Sequence, residues 1–306
     1  MKELIIIGGG PAGITAGIYA ARKYINTLLI AKDFTGQIGS SAWVENYPGF
    51  KKISGLELIK NFKEHLELFK NIETKSFQQV EKVKKIKGGF EITTDEGSYQ
   101  AKSLIIATGG IPKKLNAENE FAFLGKGLSY CVTCDGANFK NKVVAIIGGG
   151  NAGAETAIEL GRYCKKVYLL EYGKNLCADK ILQLQMKRNK KITVLTSVQV
   201  KSFEGKEELE KVIYYDLKSK LTKVLKVNGC FIETGSTPNT DFVTGLLDLN
   251  KKGEIKVNPT TLEASVAGVF TAGDVNDLPG KQVIIACGQG ASAVLSVYNY
   301  LQKTSK

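Results

Sequence analysis

The stretch "IIGGGPAG" at residues 6–13 recurs as "IIGGGNAG" at residues 146–153. Each copy continues an apolar run of the kind that forms a buried parallel strand, "ELIII" in the first and "VVAII" in the second. Each is followed by a segment rich in small residues with helical spacing. Strand, glycine turn and helix in this order are the context in which G-x-G-x-x-G indicates dinucleotide binding. The repeat therefore predicts an α/β protein with two Rossmann-like dinucleotide-binding domains.

The three glycines of each loop have different tasks. The first permits a tight turn, the second lets a pyrophosphate approach the backbone, and the third lets the helix pack closely on the strand. The free N–H groups at the start of the helix then face the phosphates. The predicted loop glycines are Gly8, Gly10, Gly13, Gly148, Gly150 and Gly153.

A second internal repeat supports the same division. "ATGGIP" at residues 107–112 and "ETGSTP" at residues 233–238 share T-G-x-x-P, and each follows an apolar strand. Each unit is thus predicted to open with a glycine loop and to close with a T-G-x-x-P turn. Two dinucleotides side by side indicate electron transfer between them, most simply between a nicotinamide and a flavin.

An acid about 20 residues beyond the glycine loop holds a ribose hydroxyl in the Rossmann arrangement. In the second unit the strand "KKVYLLE" ends on Glu171, which suits NADH and would repel the 2′-phosphate of NADPH. In the first unit the matching strand ends at Ala31–Lys32, and Asp33 comes slightly late. By this rule alone, the first unit has no acid at the position that usually binds the ribose.

The C-terminal stretch has no glycine loop of its own. It is predicted to form a strand, a loop with Asp274 and a long helix, and to rejoin the first unit. The second unit is then inserted into the first. The expected domains are 1–114 with 244–306 for FAD, and 117–241 for the nicotinamide nucleotide and the dithiol.

Composition and charge narrow the classes of partner. The 306 residues carry a net charge of +12, but the lysines are scattered without interleaved aromatic residues. This pattern indicates a solvated lysine-rich surface or a positive field that attracts an acidic protein. We do not expect the protein to bind nucleic acid. No apolar run reaches the roughly 18 residues of a membrane span, and the N-terminus lacks signal-peptide features. We expect a cytoplasmic protein without a membrane partner.

The pair Cys131 and Cys134 forms a C-x-x-C, which is compatible with a metal clamp, a structural disulfide or a redox centre. No second C-x-x-C is present and His65 is the only histidine, so no metal site is expected. In the cytoplasm such a pair is more often catalytic than structural. The other four cysteines are interpreted as packing residues, with a flavin-proximal thiol at Cys287 as the alternative. Trp43 is likewise interpreted as a packing residue.

The chain resembles the low-molecular-weight thioredoxin reductase family over its whole length. The resemblance rests on "GGGPAG", "GQI" at 36–38, "VENYPGF" at 44–50, "YCVTCDG" at 130–136, "GGGNAGAE" at 148–155 and "AGDV" at 272–275. The stretch "LLEYGKNLCADKILQLQM" most resembles the reductase part of the NADH-dependent alkyl hydroperoxide reductase flavoprotein subunits. Unlike those subunits, the chain shows no N-terminal thioredoxin-like domains. We therefore expect its disulfide substrate to be a separate protein.

The resemblance implies FAD on the first unit, a nicotinamide nucleotide on the inserted unit, and a homodimer. Reductases of the family that use NADPH carry an H-R-R cluster where this chain has Glu171, Tyr172 and Gly173. NADH is therefore the expected donor, with NADPH as the alternative. The cofactor-binding residues expected are Gly8, Gly10, Pro11, Ala12, Gly13, Lys32, Gly36, Gln37, Asn46, Val80, Thr108, Gly109, Gly148, Gly150, Asn151, Ala152, Gly153, Glu171, Gly235, Gly273, Asp274, Lys281, Gln282 and Val283.

The same resemblance assigns roles to the dithiol. Cys134 would face the flavin, Cys131 would attack the partner disulfide, and Asp135 would exchange protons with the thiols. The alternative for Asp135 is an ordinary turn residue. The partner expected is a thioredoxin- or glutaredoxin-like protein. Two other functions remain open: a reductase of the same fold with a ferredoxin or deazaflavin donor, and a non-catalytic FAD redox sensor.

Overall fold

A computed structural model describes residues 1–41 and 44–304. The prediction for Trp43 lies outside the described residues. The chain forms two compact units: Met1–Gly39, Ser54–Ile111 and Thr237–Lys306 make up unit 1, and Ser40–Ile53 and Pro112–Ser236 make up unit 2. No helix in the described ranges is long and apolar enough to cross a membrane.

The elements are numbered in chain order. The strands are β1 (Lys2–Ile7), β2 (Thr27–Ala31), β3 (Ile72–Ser76), β4 (Val80–Ile86), β5 (Gly89–Thr94), β6 (Gly97–Ile106), β7 (Gly110–Pro112), β8 (Leu128–Ser129), β9 (Val143–Ile147), β10 (Lys166–Glu171), β11 (Ile192–Thr196), β12 (Val198–Gly205), β13 (Leu209–Asp216), β14 (Leu221–Lys226), β15 (Gly229–Ile232), β16 (Ser236–Pro238) and β17 (Val269–Thr271). The α-helices are α1 (Pro11–Arg22), α2 (Gly55–Glu67), α3 (Val132–Asp135), α4 (Asn151–Tyr163), α5 (Lys180–Arg188) and α6 (Val283–Thr304).

Unit 1 is built on a seven-stranded sheet in the order β3-β2-β1-β6-β5-β4, with β17 also paired to β6. The pairs of β1 with β2 and with β6 are parallel, and β4, β5 and β6 pair antiparallel. The apolar run of β1 is buried from Leu4 to Ile7, as expected for a strand covered on both faces. Helix α1 packs on α6 so closely that a Cβ on Gly290 would lie 2.3 Å from the Ala12 carbonyl oxygen.

Unit 2 contains a five-stranded parallel sheet in the order β11-β10-β9-β15-β8 and an antiparallel sheet of β12, β13 and β14. Helix α4 covers the parallel sheet and buries Ala154, Ala157 and Leu160 in a core with Phe231. The strand–glycine turn–helix sequence therefore occurs once in each unit, as the repeat predicts.

The two T-G-x-x-P motifs lie where the chain passes between the units. Their last residues form β7 and β16, which pair with each other in a two-stranded sheet. The motif glycines Gly109 and Gly235 both have positive φ, 60° and 91°, which a residue with a side chain rarely adopts. The shared motif thus serves two segments that pair with each other as well as two separate turns.

The units differ in extent from the domains expected from the sequence. The chain changes unit at 111/112 and at 236/237, a few residues before the expected boundaries. Residues 40–53 belong to unit 2, although the prediction included them in the first domain. This segment is closed on itself by Val44 and Ile53, whose backbones exchange hydrogen bonds of 2.7 and 3.1 Å.

Candidate functional site

The two cysteines of the C-x-x-C form a disulfide at the start of the short helix α3. Their Cα atoms are 5.3 Å apart, and both residues are half-buried. Cys131 is the N-cap residue, and its Sγ accepts a hydrogen bond of 3.2 Å from the backbone N–H of Cys134. The pair is thus formed within one turn of backbone and remains partly open to solvent.

Asp135 follows the disulfide and receives a hydrogen bond from Ser129. The hydroxyl of Ser129 donates to Oδ2 of Asp135 at 2.5 Å and accepts from the backbone N–H of Cys131 at 3.0 Å. Burial raises the pKa of Asp135, the Ser129 hydrogen bond opposes this shift, and the negative charge of Glu45 adds to it. A carboxyl group with a raised pKa next to a dithiol is suited to hold and release a proton.

Sequence reasoning missed Ser129, although it lies two residues before Cys131. It also missed Glu120, whose side chain accepts from the backbone N–H groups of Leu115 and Ala117 at 3.0 and 3.2 Å and from the hydroxyl of Tyr130. Glu120 is almost fully buried. It therefore anchors the residue that directly precedes Cys131.

The glycine loop of unit 2 has the shape that a pyrophosphate needs. A Cβ on Gly148 would lie 2.4 Å from the carbonyl oxygen of Glu233, and a Cβ on Gly153 would lie 1.9 Å from the carbonyl oxygen of Gly148. A Cβ on Gly150 would meet nothing within 4 Å. The first and third glycines are thus required by close packing, and the second leaves open space over the loop, which fits a bound dinucleotide.

Glu171 lies at the end of β10 and is tied to this loop. Its Oε2 accepts from the backbone N–H of Gly149 at 2.7 Å, and its Oε1 accepts from that of Gly173 at 2.5 Å. These bonds fix the carboxylate beside the loop. Each oxygen retains acceptor capacity, which fits the hydroxyls of an adenosine ribose.

Two other predicted residues, Asn151 and Ala152, form the first turn of α4. The amide of Asn151 is paired with Asp179: its Nδ2 donates to Oδ2 at 3.0 Å, and its Oδ1 accepts from the Asp179 N–H at 2.8 Å. The pair ties the glycine loop to the segment that follows Glu171.

The glycine loop of unit 1 repeats this geometry. A Cβ on Gly8 would lie 2.3 Å from the Ala107 carbonyl oxygen, and a Cβ on Gly13 would lie 1.8 Å from the Gly8 carbonyl oxygen. A Cβ on Gly10 would have its nearest neighbour, the Cα of Gly36, 4.0 Å away. Pro11 and Ala12 begin α1 directly after the loop. Unit 1 therefore also has an open cradle that fits a dinucleotide such as FAD.

Asp33 is used inside its own loop. Its Oδ1 accepts from the N–H of Thr35 at 2.9 Å, from the Thr35 hydroxyl, and from the N–H of Gly36 at 3.2 Å. The Thr35 hydroxyl is the main reason why the pKa of Asp33 is lowered. These bonds hold Gly36 in its left-handed conformation, with φ of 56°. The neighbouring Lys32 is exposed.

Two other predicted residues of unit 1, Gln37 and Lys281, contact the predicted residue Asp274. Nε2 of Gln37 donates to Oδ2 of Asp274 at 3.2 Å, and Nζ of Lys281 donates to the Asp274 carbonyl oxygen at 3.1 Å. Burial raises the pKa of Asp274, whereas the positive charge of Lys281 opposes the shift. Gly273 precedes this aspartate with φ of 78°, and Gln282 and Val283 lead into α6.

The remaining predicted residues are more dispersed. Val80 begins β4, and Thr108 donates its hydroxyl to the carbonyl oxygen of Asn239 at 2.7 Å. Asn46 belongs to the segment 40–53, which is part of unit 2. Its expected role stays a prediction.

The four other cysteines do not all pack in the interior. Cys164, Cys230 and Cys287 are buried, and burial raises the pKa of the Cys164 thiol to about 11. Cys177 is exposed, so its interpretation as a packing residue was wrong. The backbone at Cys177 contacts the glycine loop instead: the N–H groups of Cys177 and Ala178 donate to the carbonyl oxygen of Gly149 at 2.9 and 3.0 Å.

The sequence matches the family model described as pyridine nucleotide-disulphide oxidoreductase over residues 2–290. The chain belongs to this family. It is therefore a flavoprotein oxidoreductase of the thioredoxin reductase type, whose family implies FAD and a nicotinamide nucleotide. The predicted fold and the resemblance to thioredoxin reductases are confirmed.

Two groups of known proteins are similar to the chain. The F subunit of the alkyl hydroperoxide reductase of Staphylococcus epidermidis is 35% identical over 300 residues, covering 98% of this chain and 59% of the relative. A protein of Bacillus subtilis named NADH dehydrogenase is 35% identical over 98% of this chain and 58% of its own length. The chain thus spans about three fifths of the length of these curated relatives.

Solved structures match over the full length. The thioredoxin reductase of Streptococcus pyogenes has a TM-score of 0.94 at 34% identity and covers 99% of both chains. The thioredoxin reductase of Giardia duodenalis has a TM-score of 0.93 at 30% identity, covering 98% of this chain and 99% of that one.

Proposed function

We propose that this protein is an NADH-dependent reductase that passes electrons through FAD and the Cys131–Cys134 disulfide to a thioredoxin- or glutaredoxin-like protein. The observation that carries the proposal is the combination found in unit 2. A half-exposed disulfide with an adjacent carboxyl group of raised pKa shares one unit with a glycine loop that has an acid fixed beside it.

The donor proposal rests on Glu171. Its carboxylate is held by Gly149 and Gly173 and accepts hydrogen bonds, so it suits the free 2′-hydroxyl of NADH. A 2′-phosphate would bring negative charge toward this carboxylate. Lys174 and Lys180 are exposed in the following segment and are the cations that could offset this repulsion.

The FAD site proposed is the open loop of unit 1. Gly8, Gly10 and Gly13 would hold the pyrophosphate, and Gln37 and Asp274 would supply polar contacts nearby. The chemistry that bound FAD supplies is two-electron transfer between a nicotinamide and a disulfide.

The reduced dithiol would then exchange with the partner. The Cys131 thiolate attacks the partner disulfide, forms a mixed disulfide and releases one partner thiolate. The Cys134 thiolate attacks the Cys131 sulfur, which releases the second partner thiolate and restores the Cys131–Cys134 disulfide. The partner gains two electrons and two protons, and Asp135 is the group placed to move a proton at the Cys131–Cys134 pair.

The test is an anaerobic titration of the purified flavoprotein with NADH, with NADPH or with neither. We expect NADH to bleach the flavin at lower concentration than NADPH, and an oxidised thioredoxin-like protein to be reduced in turnover. The matched control is the double variant Cys131→Ser/Cys134→Ser, which should still bleach with NADH but leave the partner oxidised.

Each alternative has its own outcome in this titration. Preference for NADPH would overturn the donor proposal. Failure of both nucleotides would favour a ferredoxin or deazaflavin donor. Bleaching by NADH without reduction of any disulfide protein would overturn the acceptor proposal and favour a redox sensor.

A further inference from the structure

Glu233 occupies, in unit 2, the position that Ala107 occupies in unit 1. The two T-G-x-x-P motifs read "ATGGIP" and "ETGSTP", so the residue before the threonine differs between the repeats. The backbone N–H of Ala107 donates to Ile7 at 2.8 Å, and that of Glu233 donates to Ile147 at 2.8 Å. The two residues thus have the same backbone role next to their glycine loops.

Packing against the glycine loops is also the same in both units. The carbonyl oxygens of Ala107 and Glu233 lie 2.3 and 2.4 Å from the place that a Cβ would occupy on Gly8 and Gly148. Their own Cβ atoms lie 3.6 and 3.7 Å from the place of a Cβ on the third glycine of each loop. Packing at this position therefore requires only the backbone and the Cβ of the residue, which an alanine supplies in unit 1.

The carboxyl group of Glu233 is not needed for this packing, and its partial burial lowers the stability of the fold. The side chain is half-buried, and Oε1 accepts from the hydroxyl of the buried Thr156 at 3.1 Å. Burial raises the pKa of Glu233, the Thr156 hydrogen bond opposes this shift, and the charges of Glu159 and Glu155 add to it. Partial desolvation and two like charges nearby both destabilise a charged carboxyl group. A residue kept at such a cost is a candidate for a role in binding or catalysis.

The position of Glu233 in the sheet indicates that use. In the order β10-β9-β15, the glycine loop follows the central strand β9. Glu171 ends β10 on one side of the loop, and Glu233 follows β15 on the other. A dinucleotide in this fold lies across the carboxyl ends of such strands, with its two halves on opposite sides of the loop. If Glu171 takes the adenosine side, Glu233 borders the nicotinamide side.

We propose that Glu233 is a hydrogen-bond acceptor for the nicotinamide–ribose half of the dinucleotide. The donors available in that half are the carboxamide N–H groups and the ribose hydroxyls. The inference rests on the proposed function, because it requires unit 2 to bind a nicotinamide nucleotide.

The experiment measures binding to the oxidised holoprotein by calorimetry, without turnover. The ligands are NAD⁺ and ADP, which lacks both the nicotinamide and the ribose attached to it. The variant is Glu233→Ala, which recreates the residue that the repeat uses at Ala107. We expect its Kd for NAD⁺ to rise about tenfold, the loss of one hydrogen bond, and its Kd for ADP to change by less than about twofold.

Retained ADP binding also shows that the glycine loop of the variant is intact. The matched control is Glu159→Gln, which removes a neighbouring negative charge and leaves the Glu233 side chain in place. We expect it to change the NAD⁺ affinity by less than about twofold.

Three results would overturn the inference: equal weakening of both ligands in Glu233→Ala, no weakening of either, or an equal effect on NAD⁺ in Glu159→Gln. Wild-type protein that binds neither ligand would instead overturn the proposed function. The 3-acetylpyridine analogue of NAD⁺ lacks the amide N–H groups and identifies the donor. If Glu233→Ala weakens the analogue as it weakens NAD⁺, the donor is a ribose hydroxyl; if the analogue is unaffected, the donor is the carboxamide.

Discussion

Replacing Glu171 by glutamine should lower the preference for NADH over NADPH. The carboxylate makes two hydrogen bonds, of 2.7 and 2.5 Å, to the N–H groups of Gly149 and Gly173. Glutamine has the same shape, but its NH₂ group cannot accept, so one backbone N–H loses its partner. The hydrogen bond that the carboxylate would accept from the 2′-hydroxyl of the ribose is weakened as well. A hydrogen bond to a charged group contributes about 1.5–3 kcal/mol, and a loss of about 2 kcal/mol lowers kcat/KM for NADH roughly 30-fold.

The ratio of kcat/KM for NADH to kcat/KM for NADPH reports the contact between Glu171 and the ribose. Loss of the loop contacts at Gly149 and Gly173 weakens both nucleotides alike and cancels in the ratio. Glutamine is a weaker hydrogen-bond acceptor than the carboxylate, which lowers kcat/KM for NADH. Loss of the negative charge removes the repulsion of the 2′-phosphate, which raises kcat/KM for NADPH. We therefore expect the NADH/NADPH ratio of kcat/KM to fall at least about tenfold. Glu171→Arg should lower it further or reverse it, because a guanidinium pairs well with phosphate.

The assay is the anaerobic rate of flavin bleaching over a concentration series of each nucleotide. The control is Glu204→Gln on β12, an equal change of charge at a half-exposed residue that is ion-paired with Lys211 at 2.8 Å. An unchanged ratio in Glu171→Gln, or the same change of ratio in Glu204→Gln, would refute the reasoning.

The remaining predictions concern the dithiol and the glycine loop. Asp135→Asn should lower turnover with a disulfide partner roughly 10²-fold, the usual scale of a lost acid–base group. Because the raised pKa keeps Asp135 protonated to higher pH, wild-type turnover should fall as pH rises through that pKa, and a pH–rate profile of the variant should lack this fall. Cys134→Ser should trap a mixed disulfide through Cys131, which a non-reducing gel detects; trapping by Cys131→Ser instead would reverse the assigned roles. Gly150→Ala should melt like the wild type but bind NADH about tenfold more weakly, since the new Cβ enters the open space over the loop. Gly153→Ala should fail to form a stable unit 2, because its Cβ would lie 1.9 Å from a carbonyl oxygen; normal melting of this variant would contradict the packing argument.

The glycine loops show what could be predicted from short stretches. A strand, a turn that needs glycine and a helix form from neighbouring residues, so spacing alone identifies them. The same holds for Cys131 and Cys134, which one turn of backbone brings to a Cα distance of 5.3 Å. Glu171 could be assigned by its distance from the loop, because a βαβ unit has a regular length.

Other predictions depended on contacts that no local pattern encodes. Asp33 comes slightly after the end of its strand, and its carboxylate accepts hydrogen bonds from the backbone N–H groups of Thr35 and Gly36. Residues 40–53 carry a motif expected in the FAD domain, and the structure assigns them to unit 2. Thr35 and Gly36 are visible beside Asp33 in the sequence, but whether they bind its carboxylate depends on the folded backbone.

By itself the sequence predicted the two dinucleotide-binding units, the insertion of one into the other, and the position of the C-x-x-C in the second unit. The glycine loops and the C-x-x-C depend on the backbone geometry of a few consecutive residues, and the insertion follows from the order of the repeated motifs along the chain. Tertiary structure alone decided that Ser129 contacts Asp135, that Gln37 meets Asp274 across 237 positions of the chain, and that Glu233 faces Thr156 where the repeat has Ala107. The physical reason is that the pKa of a carboxyl group, and the contacts open to it, are set by burial and by partners distant in sequence.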